Sequence, residues 1–360
     1  PIPKRGGDLD LIWKFINVKE RDRQLLIAWI LESYRSDTPK PVLSLYGTQG
    51  SAKSSTQDKA KQLIDNSAVN LRSAPKSVQD IFVGAGCNRL ISYENLSHIS
   101  APIQDAFCTL ATGGGFAARA LYSDDEESVI EAKRPIILNS IPPVITAQDL
   151  TDRAICLDEL PRISYKEEIA LEKEWQAAMS SIFGGLLDLF VETLKHLPKV
   201  KLTNPPRMAD FARLGEAMIQ AQGKPAGEFT TLYRSNLNEG VSRSMESSPA
   251  AVALCELAKN YPEGKEVFHG TVQGLHTKLI DYRHDSENWP RSARGLGEVL
   301  RRQMPALALM GVSVELGSRP ERIGDERGII VTVKNQSGNI GNVVSELSTA
   351  ENNFSKSVRL

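Results

Sequence analysis

The sequence predicts an α/β protein with a central, mostly parallel sheet, followed by a helical stretch and a small C-terminal segment of mixed strands and helices. Three patterns carry this. Strand-length apolar runs alternate with helical spacing from about residue 40 to 160, as crossover connections between parallel strands require. Helical spacing then dominates from 164 to about 260. Finally, 264–335 reads as a strand, two helices and two more strands, VSVELGS and GIIVTV, around a Gly/Arg turn.

In chain order, PIPKRGGDLD reads as a linker-like start, and ERDRQLLIAWILESYR (20–35) as an amphipathic helix. PVLSLYG (41–47) is a short buried strand, and SAKSSTQDKAKQLID begins the helix after it. NRLISYE (88–94) is a second strand; ISAPIQDAFCTLAT (99–112) is a helix that stops at Gly113-Gly114-Gly115. FAARALYSDDEESVIEAKRPIILN reads as two strand arms around an acidic turn, running into a further strand. DRAICLDEL (152–160) is one more strand, and EEIALEKEWQAAM and FGGLLDLFVETLKHL are long helical segments. The Ser/Asn-rich tail 336–360 reads as mobile. There is no internal repeat.

Bulk properties narrow the function classes. At 360 residues with 41% apolar content, two or three domains and a sizeable core are expected. The formal net charge of −1 means that any nucleic-acid contact must come from a local patch. Apolar runs such as RPIILNSIPPVI are too short to span a bilayer, and the polar start does not read as a signal peptide. The four cysteines are scattered without a C-x-x-C, which suits a reducing cytosol, and the five dispersed histidines do not suggest a zinc site. A cytoplasmic protein without membrane partners is expected.

LSLYGTQGSAKSS (43–55) carries the chemistry. It matches the phosphate-cradling pattern G-x-x-x-x-G-K-[ST], except that Ala52 stands at the last glycine. Such a loop needs inward backbone N–H groups at a helix N-terminus, one ammonium and one hydroxyl. Gly47 turns the strand sharply and Gly50 lets the loop curl. Lys53 is expected on the β- and γ-phosphates and Ser54 on Mg²⁺. The expected nucleotide-binding residues are Gly47, Thr48, Gln49, Gly50, Ser51, Ala52, Lys53, Ser54 and Ser55, with ATP as ligand. Ala52 is expected to enter the helix with right-handed angles, where alanine is the best helix former. An acidic residue at another strand end is also needed. LISYEN supplies Glu94 for the magnesium shell, through water, and Asn95 as a polar positioner. Asn139 closes the strand RPIILN, where it would lie between the acidic-strand groups and the γ-phosphate. Arg153 begins a strand on the subunit surface, from which it would reach a neighbour's nucleotide as a finger.

That order of lysine, acid, asparagine and arginine resembles the helicase half of phage and mobile-element primase-helicases, AAA+ ATPases close to superfamily 3 and poxvirus-type enzymes. GTQGSAKS, ISYENLSHIS, LATGGGFAARALYSDDEE, RPIILNSI, DLTDRA and PRMADFA are similar to successive blocks of that family, over roughly 1–335. The resemblance implies an AAA+ P-loop NTPase core with an N-terminal helical segment (1–38), the core itself (39–163), a helical lid or connector (164–260), a winged-helix-like domain (261–335) and a tail (336–360). It implies hexameric rings around single-stranded DNA, action on forked DNA, and a hairpin at about Phe116–Lys133 that protrudes into the channel. Arg119 at its base would face DNA or a neighbouring subunit. The acidic turn Asp124-Asp125-Glu126-Glu127 departs from the family, since acid repels phosphates, so contact falls to Lys133, Arg134 or Arg119. No primase motif is present, and a primase would be joined upstream or encoded separately.

The order of elements in 264–335 resembles a winged helix, and NWPRSARGLGEVLRRQMP gathers Arg291, Arg294, Arg301 and Arg302 where one helix would present them to a phosphate backbone. Arg319, Arg322 and Arg327 lie in the expected wing. The competing function is an AAA+ loader or protein-remodelling switch without unwinding activity. A third is a DNA-binding adaptor whose degenerate loop binds no ATP.

Overall fold

The computed structural model describes residues 2–67, 71–119, 127–159, 167–246, 248–283, 289–317, 322–323 and 326–333, with only the backbone for 116–119, 127–130, 246, 322–323 and 326–327. The chain forms two compact units, Pro1–Arg243 and Ser244–Leu360.

The first unit opens with α1 (Arg23–Tyr34), β1 (Val42–Tyr46), α2 (Lys53–Ile64), α3 (Val78–Cys87), β2 (Ile91–Leu96) and α4 (Ala101–Thr112). It continues through β3 (Gly114–Arg119), β4 (Glu127–Ala132), β5 (Ile136–Ser140), α5 (Gln148–Thr151), β6 (Ala154–Asp158), α6 (Glu168–His196), α7 (Ala209–Ala221) and α8 (Glu228–Glu246), whose last turn enters the second unit. The central sheet has the order β2-β5-β1-β6, all parallel, with Val42 in register with Ile136 on one side and Ala154 on the other. Every residue of β1 and β5 is buried, because helices cover both faces. Leu43 and Leu45 pack toward α1, α2, α6 and α7, whereas Val42 and Tyr46 join the core beneath α3 and α4. β6 is an edge, and Asn236 of α8 bonds it as a further strand would, accepting from the Cys156 N–H at 3.0 Å and donating to its carbonyl at 2.7 Å.

Three expectations change. Leu25 through Ser33 are all buried, so α1 is a core helix covered all round, not an amphipathic one. The start is not a loose linker, because Lys4 N–H donates to Ser180 O at 2.9 Å, Gly6 N–H to Asp188 Oδ2 at 2.6 Å and Asp8 N–H to Ser181 Oγ at 2.9 Å. Gly184 and Gly185 make this close approach possible, since a Cβ on Gly184 would lie 1.8 Å from Lys4 O. Finally, α6 is one continuous helix, long and apolar enough by composition to cross a membrane, although Leu171, Trp175, Met179, Ile182 and Leu186 are buried in the unit's own core.

β3 and β4 pair antiparallel as a separate ribbon, from Gly114 opposite Ala132 to Arg119 opposite Glu127. Most of the acidic turn lies outside the described residues.

In the second unit the order is α9 (Pro249–Ala258), β7 (Glu266–Thr271), α10 (Val272–Leu279), α11 (Ala293–Leu309), β8 (Val312–Leu316), β9 (Arg322–Ile323) and β10 (Glu326–Val333). Its sheet is antiparallel, in the order β7-β10-β8, with β9 paired to β10. Thr271 and Ser292 start α10 and α11 by accepting from the N–H groups of Gly274 and Gly295. Arg319 and the tail lie outside the described residues.

Candidate functional site

The loop 47–52 joins the carboxyl end of β1 to the N-terminus of α2. A Cβ on Gly47 would lie 2.5 Å from Ser51 Oγ, so Ser51 would have to shift to admit a side chain there. Gly50 has φ +81°. Ala52 also lies in the left-handed region, with φ 74° and ψ 22°, which corrects the expected right-handed entry. The turn into α2 needs an angle that glycine adopts freely, and the alanine holds it under strain. No side-chain hydrogen bond caps α2, so its first N–H groups face the loop without one.

Lys53 curls back into the loop, and its Nζ donates to the carbonyls of Gly47 and Thr48, each at 2.8 Å. Burial lowers its pKa from the ordinary lysine value, and the nearby Glu159 carboxylate opposes that shift. Thr48, Gln49 and Gly50 are exposed, Ser51 is buried, and Ser54 and Ser55 are half-buried in the first turn of α2. Asn17, from the N-terminal segment, donates from Nδ2 to Ser51 O at 3.1 Å and so braces the loop.

β5 lies between β1 and β2 and runs one residue past Asn139, to Ser140, so Asn139 is its penultimate residue, placed between the lysine loop and the acidic strand. Asn139 Oδ1 accepts from the Asn95 N–H at 2.8 Å; its Nδ2 donates to Ser54 Oγ at 3.4 Å and to Gln57 Oε1. Gln57 donates from Nε2 to Ser92 Oγ at 2.8 Å and to Tyr93 O at 3.0 Å. A buried polar relay therefore ties α2, β5 and β2 together. Glu94 is half-buried beside Asn95 (φ +53°), at the break in the β2–β5 register. Ser54 and Glu94 offer a hydroxyl and a carboxylate, hard oxygen donors of the kind Mg²⁺ takes alongside phosphate oxygens and water.

The remaining predicted residues lie elsewhere. Arg153 precedes β6 at the amino end of the strands, where its carbonyl accepts from the Val42 N–H at 2.9 Å. A strand of this length spans about 16 Å, so Arg153 does not reach the loop of its own subunit. Nor does its side chain stand free on the surface: it is 13% exposed and paired with Asp149, which also binds Arg207 at 2.6 Å. Lys133 and Arg134 are likewise engaged within the chain. Lys133 Nζ donates to Asp37 O at 2.9 Å, and Arg134 Nε donates to Ala85 O and Asn88 O, both at 3.0 Å, at the end of α3. The Arg119 side chain is outside the described part. In the second unit Arg291, Arg294, Arg301 and Arg302 are all exposed, and Arg294 and Arg301 border a cleft of about 770 Å³ between α11 and the sheet.

Four residues beside the loop escaped the sequence reading. Gln57 and Ser92 are polar residues on faces that are otherwise buried, and that mismatch was the available signal. Glu159 is buried, donates its N–H to Tyr46 O at 2.8 Å and packs against Gly47. Arg243 of α8 lies 5.6 Å from the Tyr46 ring centre and pairs with Asp158 at 2.8 Å. Only the pairing of β6 with β1 reveals these last two.

Comparison with known families decides what class of protein carries this site. The profile of the actinomycete integrative conjugative element replication protein matches residues 9–240, and that of the AICE RepA C-terminal domain matches 250–348. The chain belongs to this replication-protein family. The resemblance read from the sequence was to phage and mobile-element primase-helicases; what the family match supports is the replication protein of a mobile element. No curated protein sequence matches the chain. Among solved structures it is similar to the apo C-terminal region of NrS-1, with 10% identity over 92% of this chain and 77% of that one, at a TM-score of 0.42. It is also similar to a JCV helicase bound to an acetamide compound, with 12% identity over 64% of this chain and 70% of that one, at a TM-score of 0.28. Likenesses at such scores carry no weight for chemistry.

Proposed function

We propose that this replication protein is the ATP-driven DNA helicase of its element, an AAA+ ATPase that acts as a hexameric ring on single-stranded and forked DNA in the host cytoplasm. The observation that carries the reading is the arrangement of Lys53. Its ammonium is held by main-chain carbonyls inside a loop at an uncapped helix start, and Asn139 ties that helix to the acidic strand end. In this reading the ammonium moves from the carbonyls of Gly47 and Thr48 to the β- and γ-phosphate oxygens. Loop N–H groups bind the remaining charge. Ser54, and Glu94 through water, would hold Mg²⁺, which would supply neutralising charge beside the transferring phosphoryl group. Asn139 and Asn95 position the attacking water. Arg153 serves a neighbouring subunit's site, so turnover requires the ring, and the second unit works as a winged helix whose exposed arginines meet DNA. A primase is either encoded separately or joined upstream.

One observation favours the loader or remodelling switch. Lys133 and Arg134, two of the three hairpin-region cations, are already bonded to main-chain carbonyls of their own chain. Strand displacement on a forked duplex separates the readings, with Lys53→Ala as control. Unwinding that needs ATP and Lys53 supports the helicase. ATP hydrolysis without unwinding supports the loader.

A further inference from the structure

We infer that the cleft between the first turns of α2 and α6 is the nucleoside pocket of this site, where the sugar and base of the bound nucleotide lie. The inference rests on the phosphate-site reading above. The cleft starts in the first turn of α2, just past the loop: Ser54 and Ser55 form its wall, followed by Asp58 and Lys59 one turn on, with Ile169 and Glu172 of α6 opposite. Its volume is about 980 Å³, at the upper end of the roughly 300–1,000 Å³ usual for small-ligand pockets. From Ser54 to Lys59 the helix rises about 7.5 Å, comparable to a ribose with its base. A nucleotide whose phosphates sit at the start of α2 therefore has room to lay its uncharged end along the same helix.

The chemistry of the walls agrees with that orientation. Three carboxylates, on Asp58, Glu168 and Glu172, face two ammonium groups, on Lys59 and Lys173. The slight negative excess discourages phosphate in the cleft and leaves it to the loop. Lys59 is already paired with Glu172 and, at 3.0 Å, with Asp58, so these charges are largely matched. Ile169 is 84% exposed on this rim. A flat base laid against it would remove that apolar surface from water.

Two measurements on the full chain test the pocket. Binding of ATP and of inorganic tripolyphosphate is measured by calorimetry for wild type and for Ile169→Glu, a change at an exposed position that the fold tolerates. ATP affinity is expected to fall roughly tenfold while tripolyphosphate affinity stays within about twofold. Unchanged ATP affinity, or an equal loss for both ligands, overturns the pocket and leaves the phosphate site standing. A wild-type chain that binds neither ligand overturns the phosphate reading, and the pocket with it. Independently, 8-azido-ATP should photolabel the peptide containing Glu168–Gln176 in the wild-type protein. Label confined to other peptides overturns the assignment.

Discussion

Lys53 and Arg153, at opposite ends of the parallel sheet, are held differently. At the carboxyl end Lys53 is held by two carbonyls, and the polar groups around it arrive from α2, β5 and β2. At the amino end Arg153 and Arg207 share the carboxylate of Asp149. An ammonium on neutral carbonyls keeps its charge available to an incoming anion. A guanidinium on a carboxylate has already been neutralised by a charge-assisted bond, which an anion must break. Lys53 can thus meet an anion directly, whereas Arg153 must first leave Asp149. Topology gives Lys53 its setting, since parallel strands deliver loop and helix N-termini at their carboxyl ends.

Lys53→Ala should have the largest effect. Removing the one ammonium in the loop is expected to lower ATP hydrolysis by about a hundredfold or more, measured by phosphate release. The comparison breaks if activity survives.

Asn139→Ala tests whether the relay supports the carboxyl end. It leaves the Gln57 carbonyl oxygen and the Asn95 N–H without their partner, at about 1–3 kcal/mol for a buried group. For a unit of this size, the melting temperature should fall by roughly 5 °C, read by calorimetry. A melting temperature equal to wild type would remove the relay from the account.

Arg153→Ala sharpens the contrast at the amino end. Nucleotide binding should stay within about twofold, while hydrolysis falls roughly tenfold and only at protein concentrations where rings form. Equal loss in dilute, unassembled protein would show that the arginine acts within its own chain.

Ala52→Gly should have the smallest effect and the opposite sign. Relief of the left-handed strain is expected to stabilise the protein by about 1 kcal/mol and to raise the melting temperature by about 2–4 °C. A lower melting temperature would contradict the strained-turn assignment.

Much of the sheet was legible because its strands are buried on both faces and so read as short apolar runs, VLSLY and IILNS among them. The place of Lys53 and Ser54 at a helix start after a strand was legible from the loop pattern, and that of Asn139 from the apolar run before it. The error in α1 has a physical source: LLIAWIL is apolar at every position, so spacing alone did not separate a one-faced helix from one buried all round. The Ala52 angle was hidden because loop closure sets it, not helix propensity. Arg153, Lys133 and Arg134 read as surface cations because their partners, Asp149, Asp37, Ala85 and Asn88, become partners only through local folding or distant packing. The docking of the first residues on Gly184 and Gly185 joins segments far apart in the sequence, with Gly6 and Asp188 separated by 182 positions.

The most direct test of the central claim, that the start of α2 is a triphosphate site, is equilibrium binding of ATP with magnesium to the full chain and to Lys53→Ala. The account predicts saturable one-site binding to the wild type, weakened by roughly thirtyfold or more in the variant, equivalent to about 2 kcal/mol. Equal affinity in the two proteins, or no binding to the wild type, would contradict it.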